Sequence, residues 1–225
     1  HQPLSFSVSE TTEGVHIHII DAELMGKGEK EKKDLYIEGI QNNGIINHYE
    51  YIINSEGTIE IRHVLKPEGK MPLWFPRIGL TLTVSDALDQ VKWYGRGPQE
   101  NYPDRKTGYP TGIYASTVQA MYEPYLMPQD YGLRTDVRWL QLTTDKGIGL
   151  QFKMNEWFNF NIYPYSTDNL TKAMYTYQLQ KQKGMTLNLD YATTGVGCTA
   201  RGVFGAYKAM PQEYRRTISI RPMMK

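Results

Sequence analysis

Ile78-Gly79-Leu80-Thr81-Leu82-Thr83-Val84 alternates large apolar residues with small or polar ones over seven positions. Period two sends successive side chains to opposite faces of an extended chain, so the stretch predicts a strand with one buried face. The pattern recurs around it. Val15, Ile17 and Ile19 interleave with His16 and His18, and further runs follow at Ile148-Leu150-Phe152-Met154, Phe158-Phe160-Ile162, Leu187-Leu189 and Ile218-Ile220. Turn formers punctuate them at Ser55-Glu56-Gly57, Pro67-Glu68-Gly69, Asp145-Lys146-Gly147 and Lys183-Gly184. Apolar alternation bounded by such turns predicts antiparallel hairpins and an all-β chain. One segment predicts a helix: Ser166-Thr167-Asp168 offers N-caps, and Leu170, Ala173, Met174 and Tyr177 follow at helical spacing through Leu179. The charge run within 28–35 predicts a solvated hairpin tip or loop. From Trp93 to about Pro128 the alternation fades into Gly, Pro, Tyr and Asn, an irregular stretch of the kind that carries function or packs closely. No linker or repeat divides the chain. The expectation is one domain, 1–225, of two packed antiparallel sheets.

Composition narrows the function. The 225 residues carry 25 Lys and Arg against 24 Asp and Glu, a net charge of +1. Nucleic-acid binding calls for a basic excess, so no nucleic-acid partner is expected. No apolar run approaches the ~18 residues of a membrane-crossing helix, and the mean hydropathy is −0.53. The single cysteine, Cys198, excludes an intramolecular disulfide framework and a cysteine zinc cage, and leaves the compartment open. The opening His1-Gln2-Pro3 shows no leader and sets the expectation of a mature or excised piece.

Few residues offer catalysis. All five histidines, at 1, 16, 18, 48 and 63, lie in the first third, so a histidine base would have to reach back to the early strands. His16 and His18, two apart on one strand face, have a spacing that binds metal. Without a third ligand in view the pair reads as the polar face of an edge strand, and no metal is assigned. Cys198, with no histidine nearby in sequence, reads as a buried or half-buried thiol. Gly95-Arg96-Gly97-Pro98 has part of a glycine-rich pattern, but Pro98 and Pro103 forbid the helix a phosphate loop opens into. The informative stretch is Trp93 to Arg105, WYGRGPQENYPDR. It sets Glu100, Asn101, Asp104 and Arg105 beside Trp93, Tyr94 and Tyr102, the mixture of planar polar groups and aromatic faces that binds sugars. Glu100 and Asp104 are conceivable as a glycosidase acid and nucleophile. The competing and favoured reading has them pin an irregular loop by satisfying its backbone donors. The same choice arises at Met127-Pro128-Gln129-Asp130-Tyr131-Gly132-Leu133-Arg134.

Those two segments carry a resemblance. WYGRGPQENYPDRKTG (93–108) followed by YEPYLMPQDYGLRTDVRWL (122–140) resembles the C-terminal small-chain domain of β-galactosidases of glycoside hydrolase family two. In that family a G-x-GPxENYPDR motif precedes a Y-x-x-PQE-x-G-x-R motif. The likeness continues through Phe158–Asn161, Tyr165–Leu170, Leu187–Asp190 and Gly195–Gly197. It spans about residues 78–222 by motif and the earlier strands by pattern only.

The resemblance implies a β-supersandwich of the galactose-mutarotase kind, two large antiparallel sheets with one short helix. It implies that the catalytic carboxylates sit in a separate TIM barrel of the same polypeptide, against which this domain packs to complete a galactoside pocket. The catalytic set of this chain is then empty. The rim candidates are Glu100, Asn101, Asp104, Arg105, Gln129, Arg134 and Arg201. Family enzymes often use magnesium and sodium bound mainly outside this domain, so none is assigned here; the full enzyme is expected to be able to oligomerise. Three departures stand out. The family Trp after the Gly-x-Gly turn is missing, Cys198-Thr199-Ala200-Arg201-Gly202 standing there. Tyr175 and Tyr177 occupy the part of the helix that often carries a His, and Asp130 replaces the Glu after Pro-Gln. A Trp-Arg-Ala-Pro-type motif near the family's start is also absent, which predicts a truncated or divergent N-terminal edge. The rival readings are a free-standing aldose epimerase of mutarotase type and a stand-alone carbohydrate-binding module. The first needs histidine acids that the motif region lacks, and the second an exposed aromatic platform.

Overall fold

The computed structural model describes residues 2–24, 43–198 and 202–224, and the charge run within 28–35 lies outside them. The strands are β1 (Gln2–Thr11), β2 (Gly14–Leu24), β3 (Gly44–Ile53), β4 (Ile59–Glu68), β5 (Arg77–Val84), β6 (Gln90–Arg96), β7 (Thr111–Thr117), β8 (Arg134–Thr143), β9 (Gly149–Tyr163), β10 (Met185–Thr193) and β11 (Tyr214–Met223). One short helix, α1 (Thr167–Lys172), stands among them. All pairings between these strands described below are antiparallel, in line with the all-β expectation. The chain divides into two compact units.

The first unit runs to Phe75 and takes in Met210–Arg221. Its strands follow the order β1-β2-β3-β4-β11. The β3–β4 hairpin shows how local chemistry sets register. Asn54 Oδ1 accepts the backbone N–H groups of Glu56 (3.1 Å) and Thr58 (2.9 Å), and Gly57 supplies the φ of +75° that closes the turn. One face of this sheet is core: Ile61, Leu65, Tyr214 and Ile218 are buried there with the polar Asn47 and His63. The opposite face carries His16 and His18. β2 pairs with both β1 and β3, so these histidines are not on an edge strand. The edge belongs to β1, whose ten residues the alternation left unread.

The second unit, Pro76–Ala209 with the last four residues, follows the order β5-β10-β9-β8-β6-β7. Its core is aromatic-rich: Trp93, Leu133, Leu140, Phe158, Phe160, Tyr163, Leu187 and Leu189 are each at most 1% exposed. Ile78 and Val84 of the opening stretch are buried, and Leu80 and Leu82 stand opposite Leu189 and Leu187. The runs around Phe152 and Phe160 fuse into the single fifteen-residue β9. Phe152 and Phe158 both stay buried, while the β8–β9 register shifts twice, with the extra residue in β8 between Arg134 and Val137 and the extra residues in β9 between Lys153 and Phe158. Such bulges let one long strand bend and still keep its apolar face inward.

Two expectations need correction. The stretch 93–128 is not wholly irregular, because β7 lies inside it and pairs with β6. Its sequence, Thr111-Gly112-Ile113-Tyr114-Ala115-Ser116-Thr117, lacks apolar alternation because β7 ends the order and its large apolar Ile113 is exposed. The helix is also shorter than the spacing predicts. Ser166 caps it as expected, its Oγ accepting the Asn169 N–H at 3.0 Å. It stops at Lys172 because the apolar stripe ends: Leu170 and Ala173 are buried, but Met174 and Tyr177 are exposed. Side-chain acceptors then take over, Gln178 Oε1 receiving the N–H groups of Met174 and Tyr175.

Candidate functional site

The site is built from the loop after β6 and the segment leading into β8. Glu100 is 6% exposed. Its carboxylate accepts from Arg105 Nη2 (2.8 Å), Tyr102 Oη (3.2 Å), the Gly132 N–H (2.8 Å) and Tyr125 Oη. Four donors converge on one carboxylate, so its lone pairs are committed to holding the two segments together. Arg105 also stacks over the Tyr102 ring, 5.1 Å from its centroid. Asn101, fully buried, reinforces the same seam. Its N–H donates to Leu133 O (2.8 Å), and its Oδ1 accepts from the Thr135 N–H (3.1 Å) and Oγ1 (2.5 Å).

Asp104 faces another partner. Oδ1 accepts the N–H of Val196 at 3.0 Å and Oδ2 that of Gly197 at 2.7 Å. The turn that carries these donors must come close: a Cβ on Gly195 would sit 2.3 Å from Asp104 Cγ. Only glycine fits. The base of the loop is closed by Arg96, which donates to Asp136 (2.5 Å) and to the carbonyls of Lys106 and Tyr109. Burial acts to raise the Asp136 pKa, but Lys106 and Arg96 outweigh it and hold the carboxyl below its ordinary value.

Arg134 is 3% exposed, donates through Nη1 to Gly132 O at 2.9 Å, and lies 5.3 Å over the Trp93 ring. Burial pulls its pKa down to about 10, against the charges of Glu100 and Glu123. Glu123 is pushed up by burial and by Glu100. The structure therefore gathers Glu100, Asn101, Arg105 and Arg134 around one seam, sets Asp104 on the 195–197 turn, and leaves Gln129 exposed. Arg201 lies outside the described residues. Cys198 is exposed, neither buried nor half-buried as the sequence reading has it. It follows the turn whose backbone Asp104 holds, and no apolar neighbour in sequence draws it inward.

The family described as beta galactosidase small chain matches residues 7–220. The chain belongs to that family. Relatives named beta-galactosidase include those of Priestia megaterium (38% identical over 147 residues), Vibrio cholerae (39% over 122) and Pseudoalteromonas haloplanktis (33% over 159). These alignments take in 65%, 54% and 69% of this chain but only 14%, 11% and 14% of the relatives. Among solved structures, a GalM/aldose epimerase homologue from C. elegans aligns with a TM-score of 0.45 at 13% identity, over 97% of this chain and 68% of that one.

A second polar centre in this small chain escapes sequence reasoning. Arg77 Nη2 lies 3.1 Å from Asp130 Oδ2 and 3.2 Å from Asp190 Oδ2. Asn161 donates to Asp130 (2.9 Å) and accepts from Asn188 (2.8 Å), which also donates to Tyr163 Oη (3.0 Å). Asp190 is 1% exposed, and burial pushes its carboxyl up to about 7 despite Arg77. The signal available was parity: Asn188 and Asp190 alternate with Leu187 and Leu189 on a strand that the structure buries on both faces. A strand buried on both faces forces its polar residues into a satisfied network. Asp130, which stands where the small-chain motif has Glu, thus contributes to packing through both of its oxygens.

Proposed function

We propose that the chain is the non-catalytic small-chain domain of a β-galactosidase that hydrolyses terminal β-galactosides. It packs on a TIM-barrel domain of the same polypeptide and completes the rim of the galactoside pocket. The observation that carries the reading is the family match over residues 7–220, in a chain spanning at most 14% of the relatives cited above. The geometry supports the non-catalytic part. A retaining glycosidase needs two carboxylates free to face each other across the scissile bond, about 5 Å apart. Glu100 and Asp104 instead spend their oxygens on protein donors.

The rim candidates then divide by exposure. Arg105 and Gln129 face solvent and are the groups able to reach a sugar hydroxyl; Glu100, Asn101 and Arg134 hold the loops that present them. Asp104 holds the turn beyond. Residues 76–209 contain no histidine, which disfavours an epimerase. The test is an assay with a chromogenic β-galactoside, run on this chain alone and on the longer polypeptide. No turnover by the chain alone, with a raised KM for R105A and Q129A in the longer enzyme, is expected. Turnover by the isolated chain that E100Q or D104N abolishes overturns the reading.

A further inference from the structure

On the outward face of the first unit's sheet, two imidazoles and a carboxylate converge. His16 and His18 lie two apart on β2, and the register places Glu50 of β3 directly opposite His18. His16 Nδ1 is 3.5 Å from Glu50 Oε1, and His18 Nε2 is 4.0 Å from the same oxygen. One ligand atom from each residue falls within 4.8 Å of the other two. These approaches exceed the 2.7–3.2 Å of a good hydrogen bond, so the three groups point at a common space without closing on each other. Tetrahedral zinc, with N and O ligands at about 2.0–2.2 Å, separates its ligand atoms by about 3.4 Å. His16 Nδ1 and Glu50 Oε1 already stand at that distance, and His18, whose Nε2 is 4.0 Å from Glu50 Oε1, must close on both through a side-chain rotation from within the 4.8 Å that bounds the three ligand atoms.

The surroundings prepare the donors. Glu50 Oε2 is held by Arg62 Nη1 at 3.1 Å, which leaves Oε1 turned to the histidines. Arg62 is itself bound to Glu60 at 2.8 Å, so its charge is offset by a second carboxylate. An outer partner of this sort orients a carboxylate ligand. β2 is hydrogen-bonded on both sides, which fixes the two imidazoles on one face. His16 is mostly buried and its Nε2 has no hydrogen-bond partner among the described residues, so this ring is not held by a competing network.

We propose that His16, His18 and Glu50 form a binding site for a divalent transition metal, Zn2+ foremost, clipping β2 to β3. Two neutral imidazoles and a carboxylate are the donor set zinc takes, and three protein ligands leave a fourth position open to water at the half-exposed His18 side. The three residues belong to the first unit and the rim candidates described above to the second, so the proposal does not depend on that reading. Sequence alone reached only the histidine pair, because Glu50 is brought in by strand register across an intervening 31 residues.

The test is titration of Zn2+ alone into the 225-residue chain carrying His1→Ala and Cys198→Ser, which remove the terminal chelate and the exposed thiol as competing ligands. One equivalent is expected to bind with micromolar or better affinity and to raise the thermal midpoint. His18→Gln and Glu50→Gln, at partly exposed positions that leave the fold intact, are expected to weaken binding at least tenfold and abolish the midpoint shift. Co2+ substitution reports geometry through the visible bands of a four-coordinate ion, which the same variants should lose. Zinc binding of parent strength in both variants, or no binding below millimolar in the parent, overturns the proposal.

Discussion

Asp104 Oδ2 accepts the backbone N–H of Gly197 at 2.7 Å, and the two residues are 93 positions apart. With the parallel bond to Val196 the carboxylate ties the loop after β6 to the turn after β10. Asp104→Ala removes both acceptors and leaves two backbone donors to find water, a loss of about 1–3 kcal/mol. Gly195→Ala attacks the same joint from the other side, since its Cβ would overlap Asp104 Cγ. Urea unfolding should show both variants destabilised and the double variant less than additive, because each breaks one shared contact. Additive losses would mean that Asp104 and the turn are independent.

Glu100→Gln keeps the shape of the side chain and exchanges one acceptor for a donor. Whichever way the amide turns, its NH2 meets donors: Arg105 and Tyr125 on one side, Tyr102 and the Gly132 N–H on the other. The expected cost is about 1.5–3 kcal/mol, the range for hydrogen bonds to a charged group. Glu100→Asp should also cost stability, since the shortened carboxylate cannot span all four donors. An unchanged unfolding midpoint in both variants would show that the convergence on Glu100 carries no stability.

The strand face around Ile78 was legible because a half-buried sheet imposes alternation, and the turn at Ser55-Glu56-Gly57 because Gly57 takes the φ of +75° that closes it. WYGRGPQENYPDR was legible as a knot of polar and aromatic residues, and two prolines beside carboxylates pointed to a pinned loop. Partners were not legible. Nothing near Asp104 in sequence announces Val196 and Gly197, and nothing near His16 announces Glu50, because both depend on long-range pairing. The helix was over-read past Lys172 for a related reason: Met174 and Tyr177 have helical spacing but no surface to bury it against, and tertiary packing decides how far a weak helix runs.

Asp190 gives the second unit a pH signature. Burial raises its carboxyl to about 7 in the folded chain, against about 3.9 when unfolded. The folded state therefore holds a proton that the unfolded state has released. The sign is fixed by linkage: the contribution is full below about pH 4, is lost as pH rises toward 7, and is flat above that. The total is up to about 4 kcal/mol at 1.36 kcal/mol per pH unit. Asp190→Asn should remove this decline, so that the variant gains on the parent between pH 4 and 7. Parallel stability curves for parent and variant over that range would sink the idea.

His63 gives the first unit the opposite slope. The ring is 2% exposed, stacked on Tyr49 at 4.2 Å, with Nε2 3.1 Å from Asn47 Oδ1. Burial lowers its pKa to about 4, against a smaller upward pull from Asp21. An unfolded histidine titrates near 6.5, so below that pH the unfolded chain binds a proton that the fold refuses. The stability this group contributes is present above about pH 6.5 and is lost as pH falls toward 4, at most about 3 kcal/mol. Between pH 4 and 6.5 it runs against Asp190, so the parent should show a shallow profile if both units unfold together. His63→Gln, which keeps a donor for Asn47 but cannot titrate, should expose the uncompensated Asp190 decline. Stability measured by urea at half-unit pH steps tests this, and a His63→Gln profile no steeper than the parent's would show that the two groups do not oppose each other.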